Sequence, residues 1–251
     1  LLLPSEQAVP ESGRPSALKR SLKMIKEFNL DGVVPWGRRF DEYDAFFARG
    51  DVAPGASVLD VAGGPASFAM EAAARGMNVT AADPIYRLDA EAIRRRFDET
   101  AEAMRRGMHL AAYRFNWSFY GTEEAVYRRR REALDLFLAD FETMSGKRYV
   151  PASLPDLPFG EGAFDLALTS HFLFLYGDEL GCDFHVAAIR ELMRVAKEAR
   201  IFPLANLDGR PSSHLPGVMR ALRDLGLVPE LVAVPFEFQR GATTMLRVRK
   251  I

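Results

Sequence analysis

The amino-acid sequence predicts an α/β fold, in which a mostly parallel sheet with an antiparallel last strand has helices on both faces. The first observation is an apolar run that ends in Asp60 and is followed by a glycine pair and a helix-like segment. The second is another apolar run, 79–82, which ends in Asp83. The third is an alternation of strand-like and helix-like patterns through the second half of the chain, which is typical of βαβ units.

The segment before the first strand is predicted to be an N-terminal tail and helical cap, residues 1–50, ahead of a core domain over 51–251. Residues 1–15 contain three prolines among polar residues, which predicts a loose tail. Apolar residues recur at helical spacing over 16–28, and a short helix is predicted around residues 43–47.

The first βαβ unit is predicted from strands at 57–61 and 78–82 around a helix at 65–75. The glycine pair after the first strand lets the backbone approach a ligand closely. A carboxylate at the tip of the second strand, here Asp83, can accept two ribose hydroxyls. This unit therefore predicts a nucleoside-binding site.

A helical insertion is predicted at about 86–149, between the strands predicted at 78–82 and 164–169. It contains two long helices separated by an aromatic stretch, 113–120. Its basic runs, 94–96 and 128–131, sit in a segment with 13 basic and 11 acidic residues. The near-neutral balance favours solvated faces of packed helices over an RNA-binding patch. The aromatic stretch fits a ligand pocket and a packed core equally well.

The remaining elements follow from periodicity in the last hundred residues. Strands are predicted at 164–169 and 199–204, helices at 183–197 and 214–225, and a final pair of alternating strands at 231–238 and 243–248. The turn of that last hairpin is predicted at 239–242.

Composition excludes several classes of protein. With 33 basic and 34 acidic residues, the chain lacks the positive surplus with which proteins bind a phosphate backbone. The single cysteine, Cys182, excludes an internal disulfide and favours the cytoplasm. No apolar run reaches the roughly 18 to 20 residues of a membrane span, and the opening Leu1–Leu3 is too short for a signal peptide. The four histidines lack metal-ligand spacing, so we predict no metal site.

The residues of the glycine loop decide between nucleoside ligands. A dinucleotide fingerprint needs three spaced glycines, and here Ala62 and Ser67 occupy two of those positions. The Asp60 carboxylate repels a pyrophosphate but attracts a cation. S-adenosylmethionine (SAM) carries a sulfonium and an ammonium and no phosphate, so the loop favours SAM over NAD. A nucleotide-linked oxidoreductase remains an alternative that an NAD titration tests.

Residues 60–66 resemble the first motif of class I SAM-dependent methyltransferases, and Asp83 stands where that family has its ribose-binding acid. Residues 153–159 and the strand after them are similar to the family's adenine-side loop and fourth strand. The resemblance covers roughly 55–85 and 150–250. The chain is most similar to a bacterial branch with Val34–Arg38 before the core and Ser170–Tyr176 after the fourth strand.

That resemblance implies a Rossmann-like seven-stranded, mostly parallel sheet with an antiparallel last strand, helices on both faces and a helical insertion after the second strand. It implies SAM as cofactor and S-adenosylhomocysteine (SAH) as product. The residues that it assigns to the cofactor are Asp60, Ala62, Gly63, Gly64, Asp83, Pro84, Ser153, Leu154, Ser170 and Arg38.

Within this set, Asp60 and the glycine pair correspond to the methionine end of SAM, Asp83 to the ribose, and Ser153 with Leu154 to the adenine. Arg38 or the neighbouring Arg39 is a candidate partner of the methionine carboxylate, and a solvated surface position is the alternative. Two glycines expected by the family are replaced by Ala62 and Ala66. Alanine costs little there provided that both backbones stay at negative φ.

The resemblance implies methyl transfer to a small-molecule acceptor, with the methylated O, N or C atom undetermined. His171 follows the fourth strand and is a candidate general base, which only an unactivated hydroxyl or carbon acid needs. The alternative is a histidine that merely bonds a backbone carbonyl. Two other functions stay open, namely an RNA methyltransferase that uses the inserted helices and a SAM-binding sensor without catalysis. The sequence predicts no oligomeric state.

Overall fold

The structure is a computed structural model that describes residues 35–251. The tail and helix predicted for residues 1–28, and the beginning of the Val34–Arg38 motif, lie outside the described residues.

Seven strands form one sheet, in the order β3-β2-β1-β4-β5-β7-β6. The strands are β1 (Ser57–Val61), β2 (Asn78–Ala82), β3 (Tyr149–Val150), β4 (Phe164–Ser170), β5 (Ala196–Phe202), β6 (Leu227–Ala233) and β7 (Thr244–Lys250). Strands β1 to β5 pair in parallel, and β7 runs antiparallel to both of its neighbours. The predicted Rossmann-like fold with its antiparallel last strand is therefore confirmed.

Six α-helices accompany the sheet in the described part of the chain. They are α1 (Phe40–Phe47), α2 (Phe68–Ala73), α3 (Ala90–Leu110), α4 (Glu123–Met144), α5 (Gly177–Val195) and α6 (Leu215–Asp224). Helices α3 and α4 lie between β2 and β3 in the chain, so the predicted insertion after the second strand is present.

Apolar residues alternate between the two faces of the sheet, because successive side chains of a strand point in opposite directions. Val58 of β1 belongs to the core that α1 to α4 cover. Its neighbour Leu59 belongs to the second core, under α5 and α6. Each face of the sheet thus has its own apolar core covered by helices, so helices lie on both faces as predicted.

The boundaries of the C-terminal elements differ from prediction. The first strand of the hairpin is predicted at 231–238, whereas β6 spans Leu227–Ala233, so it begins four residues earlier and ends five residues earlier than predicted. A long connection then leads to Thr244. Within that connection Phe236 and Phe238 leave the sheet and pack on aromatic residues of the insertion, for example Phe238 on Phe115 with ring centroids 4.6 Å apart. Their alternation with polar residues imitates a strand, which is why periodicity extended β6 too far.

Helix α5 begins at Gly177, six residues before the predicted start, because a short helical segment precedes the predicted helix and joins it at a kink. The kink lies at Gly181, whose φ of 71° is outside the helical region. Strand β5 begins at Ala196 and pairs with β4 from Phe164 onward. The prediction of 199–204 for that strand is thus shifted by two to three residues.

Candidate functional site

The predicted site residues meet at the carboxyl ends of three adjacent parallel strands, β2, β1 and β4. Asp60 is the fourth residue of β1, Ser170 ends β4, and Asp83 directly follows β2. In an open α/β sheet, ligands bind in the crevice at this edge, near the point where the strand order reverses. Here β1 is flanked by β2 on one side and β4 on the other, so the reversal falls at the glycine loop.

The loop after β1 turns sharply through two left-handed residues. Ala62 has φ of 60° and Gly64 has φ of 58°, and the Ala62 N–H donates to the Ala82 carbonyl at 2.8 Å. The expectation that the backbone of Ala62 stays at negative φ is therefore wrong. At this positive φ, the Cβ of alanine strains the backbone. The same expectation holds at Ala66, which is not among the residues with positive φ.

Gly63 is required by close approach rather than by its backbone angles. A Cβ added at this residue lies 2.3 Å from Asp60 Oδ2, a distance that real side chains do not tolerate. The space beside Gly64 is open, because no atom lies within 4 Å of a Cβ built there. Gly63 thus packs on Asp60, whereas Gly64 borders open space in which a ligand could lie.

Asp83 fixes the glycine loop against β2. Its Oδ2 accepts the Gly64 N–H at 2.9 Å, and its Oδ1 accepts the Ile85 N–H at 2.8 Å. Burial raises the pKa of Asp83 to about 6, although both backbone hydrogen bonds oppose the shift. Pro84 is half-buried and opens the 3-10 turn that follows. Each carboxylate oxygen keeps a second lone pair for a ligand hydroxyl.

Asp60 has one satisfied and one unsatisfied oxygen. Its Oδ2 accepts the Tyr43 hydroxyl at 2.9 Å, whereas its Oδ1 is buried without a hydrogen-bond partner in residues 35–251. Burial raises the pKa of Asp60 to about 7, assisted by the negative charge of Asp83 and opposed by Tyr43 and Arg38. A cation that donates a hydrogen bond to Oδ1 removes both the missing contact and the uncompensated charge.

Arg38 supplies the opposite charge at the same site. Its Nη1 donates to the Trp36 carbonyl at 3.0 Å, and no carboxylate of the described chain forms an ion pair with it. Burial, and the nearby charge of Arg130, lower its pKa to about 10, so the guanidinium remains charged at neutral pH. Its charge also acts on Asp60 and His171, which places it beside both.

His171 is a neutral base in a strained backbone conformation. Its φ is 52°, and its backbone N–H donates to the Phe202 carbonyl at 2.6 Å. The Nδ1 atom is buried without a partner among the described residues, so the side chain does not bond a backbone carbonyl through that atom. Burial, followed by the charges of Arg38 and Arg130, holds the pKa of His171 well below its usual range. Strained residues of this kind concentrate at functional sites.

The other three predicted residues are placed less uniformly. Ser170 is 3% exposed, and its hydroxyl is close enough to Tyr43 to act on the pKa of that phenol. Leu154 is buried in the large apolar cluster against which Ala62 also packs. Ser153 is half-buried in the turn after β3, where its carbonyl accepts the Asp156 N–H at 3.1 Å, and among residues 35–251 no hydrogen bond joins its side chain to the glycine loop.

Two tyrosines at the site are not predicted from the sequence. Tyr43 bonds Asp60, and the Tyr86 hydroxyl donates to the Gly64 carbonyl at 2.8 Å. Periodicity identifies Tyr43 only as an apolar helix residue. The signal that could identify Tyr43 is its hydroxyl, a polar group on an otherwise apolar helix face. A buried tyrosine hydroxyl needs a hydrogen-bond partner, and Asp60 at a strand end is an acid that can accept from it.

The basic run of α4 is neutralised by acidic partners. Arg129 pairs with Asp41, Arg130 with Glu42 and Arg131 with Asp98, and Arg128 lies 3.9 Å from Glu132. Arg128, Arg129 and Arg131 therefore lie on the ion-paired helix surface that the composition favours. The expectation of a solvated face is wrong for Arg130, which is 2% exposed and pairs with a buried Glu42. Of the aromatic stretch, Tyr120 is buried in the core and Phe119 is 37% exposed.

Within residues 35–251 no group of three His, Cys, Asp or Glu side chains could hold a metal ion. Over the same residues, no helix combines the length and apolarity that crossing a bilayer requires.

Comparisons with known proteins give one relative in sequence and several similar folds. No protein-family model matches the chain. A SAM-dependent methyltransferase from Aquifex aeolicus is 17% identical, with a TM-score of 0.41 over 92% of this chain and 95% of that one. Magnesium protoporphyrin IX methyltransferase from Synechocystis PCC 6803, with bound SAH, is 12% identical, with a TM-score of 0.44 over 95% and 89%. Similarities this distant carry no argument about activity.

The relative in sequence is the uncharacterized protein MJ0045 of Methanocaldococcus jannaschii. It is 30% identical over 227 residues, which cover 90% of this chain and 100% of that protein. The bacterial branch expected from the motifs stays a prediction. Because the similarity extends over the whole of the relative, the chain belongs to the same protein family as MJ0045 of Methanocaldococcus jannaschii.

Proposed function

We propose that the chain is a SAM-dependent methyltransferase that acts on a small-molecule acceptor. The observation that carries the proposal is a pair of incompletely bonded ionic groups at the carboxyl edge of the sheet. Asp60 has a buried oxygen without a hydrogen-bond partner among residues 35–251. Arg38 forms no ion pair with a carboxylate of those residues, although its charge and those of Asp60 and Glu42 act on one another. The methionine end of SAM carries an ammonium and a carboxylate, so it satisfies both groups at once.

The other residues of the site suit the rest of the cofactor. Asp83 has free lone pairs for ribose hydroxyls beside the open volume at Gly64. Leu154 provides an apolar surface for adenine on the far side of β2, and the neighbouring Ser153 supplies a hydroxyl. Ala62 and Pro84 shape the two turns that flank this volume, and Ser170 closes it from β4.

SAM, when bound, supplies a methyl group that is already activated toward displacement. The chain then contributes position, exclusion of water and, for an acceptor that needs it, removal of a proton. His171 is the residue proposed for that last role, because its ring is neutral and its Nδ1 lacks a partner. His171 would take the proton of the acceptor, and the acceptor atom would receive the methyl group of SAM, which leaves as SAH when its methyl–sulfur bond breaks.

A small-molecule acceptor is favoured over RNA because the arginines of the insertion are paired with acids of the same chain. The charge of these arginines is compensated by acids in the folded protein. Little positive charge is therefore available to displace counterions from a phosphate backbone.

The first test is calorimetric titration of SAM into the wild type and into Arg38→Gln. We expect the variant to bind about 10- to 100-fold more weakly, because a charge-assisted hydrogen bond contributes about 1.5–3 kcal/mol. Arg39→Gln is the matched control, since Arg39 pairs with Glu71 and Glu132 instead. Failure of the wild type to bind SAM, with or without binding of NAD, contradicts the proposal.

The second test identifies the acceptor. Methyl-tritiated SAM is incubated with the protein and a lysate, which is then separated into RNA, protein and small-molecule fractions. We expect label among the small molecules. Label in RNA supports the alternative that uses the inserted helices, and binding of SAM without transfer to any fraction supports a sensor.

A further inference from the structure

Tyr43 lies at the centre of the proposed cofactor site although it comes from the N-terminal cap. It is fully buried in α1, and its ring stacks on Phe68 with centroids 4.0 Å apart and planes 1° from parallel. Phe46 and Phe47 pack against the same ring at 5.2 and 5.7 Å. Three neighbouring aromatic rings therefore fix the direction in which the Tyr43 hydroxyl points.

That hydroxyl lies between the tips of two strands. It donates to Asp60 Oδ2 at 2.9 Å, and the Ser170 hydroxyl at the end of β4 is close enough to act on the pKa of Tyr43. Because the phenol has one proton, that proton is committed to the Asp60 carboxylate.

The Tyr43 bond also determines which oxygen of Asp60 is left for a ligand. Oδ2 accepts that bond, and Gly63 packs so closely on it that an added Cβ would lie 2.3 Å from Oδ2 and 3.0 Å from the Tyr43 hydroxyl. Oδ1 is the buried oxygen without a partner among residues 35–251. The carboxylate cannot turn away from this orientation without breaking the Tyr43 bond.

We propose that Tyr43 is a positioning residue of the cofactor site, which holds Asp60 by Oδ2 so that Oδ1 receives the cationic group of SAM. The inference rests on the proposed function. It adds a residue that acts through Asp60 without touching the reacting atoms, and it makes the cap helix a part of the binding site.

The other charged and titratable groups around Asp60 come from three elements. Arg38 of the segment before α1 favours the ionised carboxylate, whereas Asp83 after β2 disfavours it. Tyr86 of the 3-10 turn also lies within electrostatic reach of Asp60. Loss of the Tyr43 bond leaves Arg38 as the stabilising partner among these groups, so the carboxylate becomes easier to protonate.

The test compares Tyr43→Phe with Tyr149→Phe as a matched control. Tyr149 is another fully buried tyrosine on the same face of the sheet, and its hydroxyl donates to the Asp140 carboxylate at 2.8 Å. Two quantities are measured between pH 5.5 and 9, namely the SAM dissociation constant and the titration of the Asp60 carboxyl by carbon-13 NMR. The Asp60 signal is assigned by its loss in Asp60→Asn.

We expect Tyr43→Phe to move the Asp60 titration to higher pH and to weaken SAM about tenfold at pH 7.5, the range for one hydrogen bond to a charged group. The deficit should shrink toward pH 9, where Asp60 is ionised in both proteins. Tyr149→Phe should leave both quantities at wild-type values. Should Tyr43→Phe not fold, Ser170→Ala keeps the phenol and removes the neighbouring hydroxyl that lowers the pKa of Tyr43. Tyr43 then becomes a weaker donor to Asp60, so the Asp60 titration is expected to shift in the same direction.

An unmoved titration, or a loss of SAM affinity by the same factor at every pH, overturns the positioning role and leaves Tyr43 as a packing residue. In that case wild-type SAM binding still supports the proposed function. Absence of wild-type SAM binding, by contrast, overturns the proposed function and the cofactor role of Tyr43 together.

Discussion

At the scale of single residues, the site is defined by polar atoms that the fold leaves without partners. Asp60 Oδ1 and His171 Nδ1 are both buried and unsatisfied in the described chain. Burying a polar group without a hydrogen bond costs about 1–3 kcal/mol, so a ligand that completes these two atoms recovers that free energy on binding. Their position at two neighbouring strand ends is what makes the carboxyl edge of the sheet a binding site.

The left-handed alanine at residue 62 is expected to be a point of strain. Ala62→Gly should stabilise the protein by about 1 kcal/mol, because glycine adopts positive φ without a Cβ clash. Ala66→Gly, at negative φ, should instead destabilise it through the added freedom of the unfolded chain. Urea denaturation of both variants measures the difference, and stabilisation by Ala66→Gly alone contradicts the reasoning.

The proposed base can be separated from cofactor binding at His171. Asparagine also tolerates the left-handed region, so His171→Asn keeps the backbone while removing the imidazole. We expect methyl transfer to the small-molecule fraction to fall by about 10²-fold or more, with SAM affinity within about twofold of wild type. Unchanged transfer shows that the acceptor needs no base and that His171 only shapes the pocket.

At the scale of elements, the cap helix α1 is held to the insertion helix α4 by a buried ion pair. Arg130 donates to both oxygens of Glu42, at 2.5 and 2.9 Å, and the Tyr120 hydroxyl donates to Glu42 as well. Burial alone raises the pKa of Glu42, but Arg130 and Tyr120 outweigh it and lower that pKa to about 2. The pair fixes α1, and with it Tyr43, against the sheet.

Breaking this pair should cost far more than breaking its exposed neighbours. We expect Glu42→Gln to lower the free energy of unfolding by about 3 kcal/mol, since it leaves the Arg130 charge buried. Arg128→Ala, which loses only an exposed contact of 3.9 Å, should cost less than about 1 kcal/mol. Denaturation in urea at pH 7 measures both, and equal costs contradict the buried-pair account.

The same pair predicts a dependence of stability on pH. Because the folded pKa of Glu42 is depressed, its contribution is complete above the ordinary glutamate value of 4.5 and is lost as the pH falls toward 2. Glu42→Gln removes this contribution, so the difference in stability between wild type and variant should narrow in acid. A constant difference between pH 7 and pH 3 contradicts the shift.

Sequence patterns predicted the elements of the core better than those of the periphery. Strands β1 and β2 were predicted at their observed bounds, because each is an apolar run bordered by an acid or a turn. Strand β3 has only two residues and no periodicity to detect. The acids at the strand tips were predicted from local motifs, whereas Tyr43 contacts Asp60 only through tertiary structure, across 17 residues of chain.

At the scale of the whole molecule, charge compensation is the feature that bears on partners. The chain has a net charge of −1, and the arginine run of α4 faces acids of α1, α3 and α4 itself. Compensated arginines bind polyanions weakly and lose what affinity they have as salt rises.

We therefore expect no retention of total RNA by the protein in filter binding at 150 mM salt. Replacing Arg128 and Arg129 by alanine should leave any residual retention unchanged. Retention in the wild type that weakens steeply with salt, and that the double variant abolishes, supports the RNA alternative against the small-molecule one.

The aromatic contact between the insertion and the long β6–β7 connection has a consequence for how the molecule is made. The Asn116 N–H donates to the Phe238 carbonyl at 2.7 Å, and Phe236 packs on Phe46 of the cap with ring centroids 5.4 Å apart. These partners are separated by more than a hundred residues, and Phe46 also contacts the His171 ring with centroids 5.5 Å apart, so one wall beside His171 depends on residues synthesised long after the insertion. During translation, the wall beside His171 is therefore complete only after residues 236–238 have been made and have folded back onto the cap and the insertion.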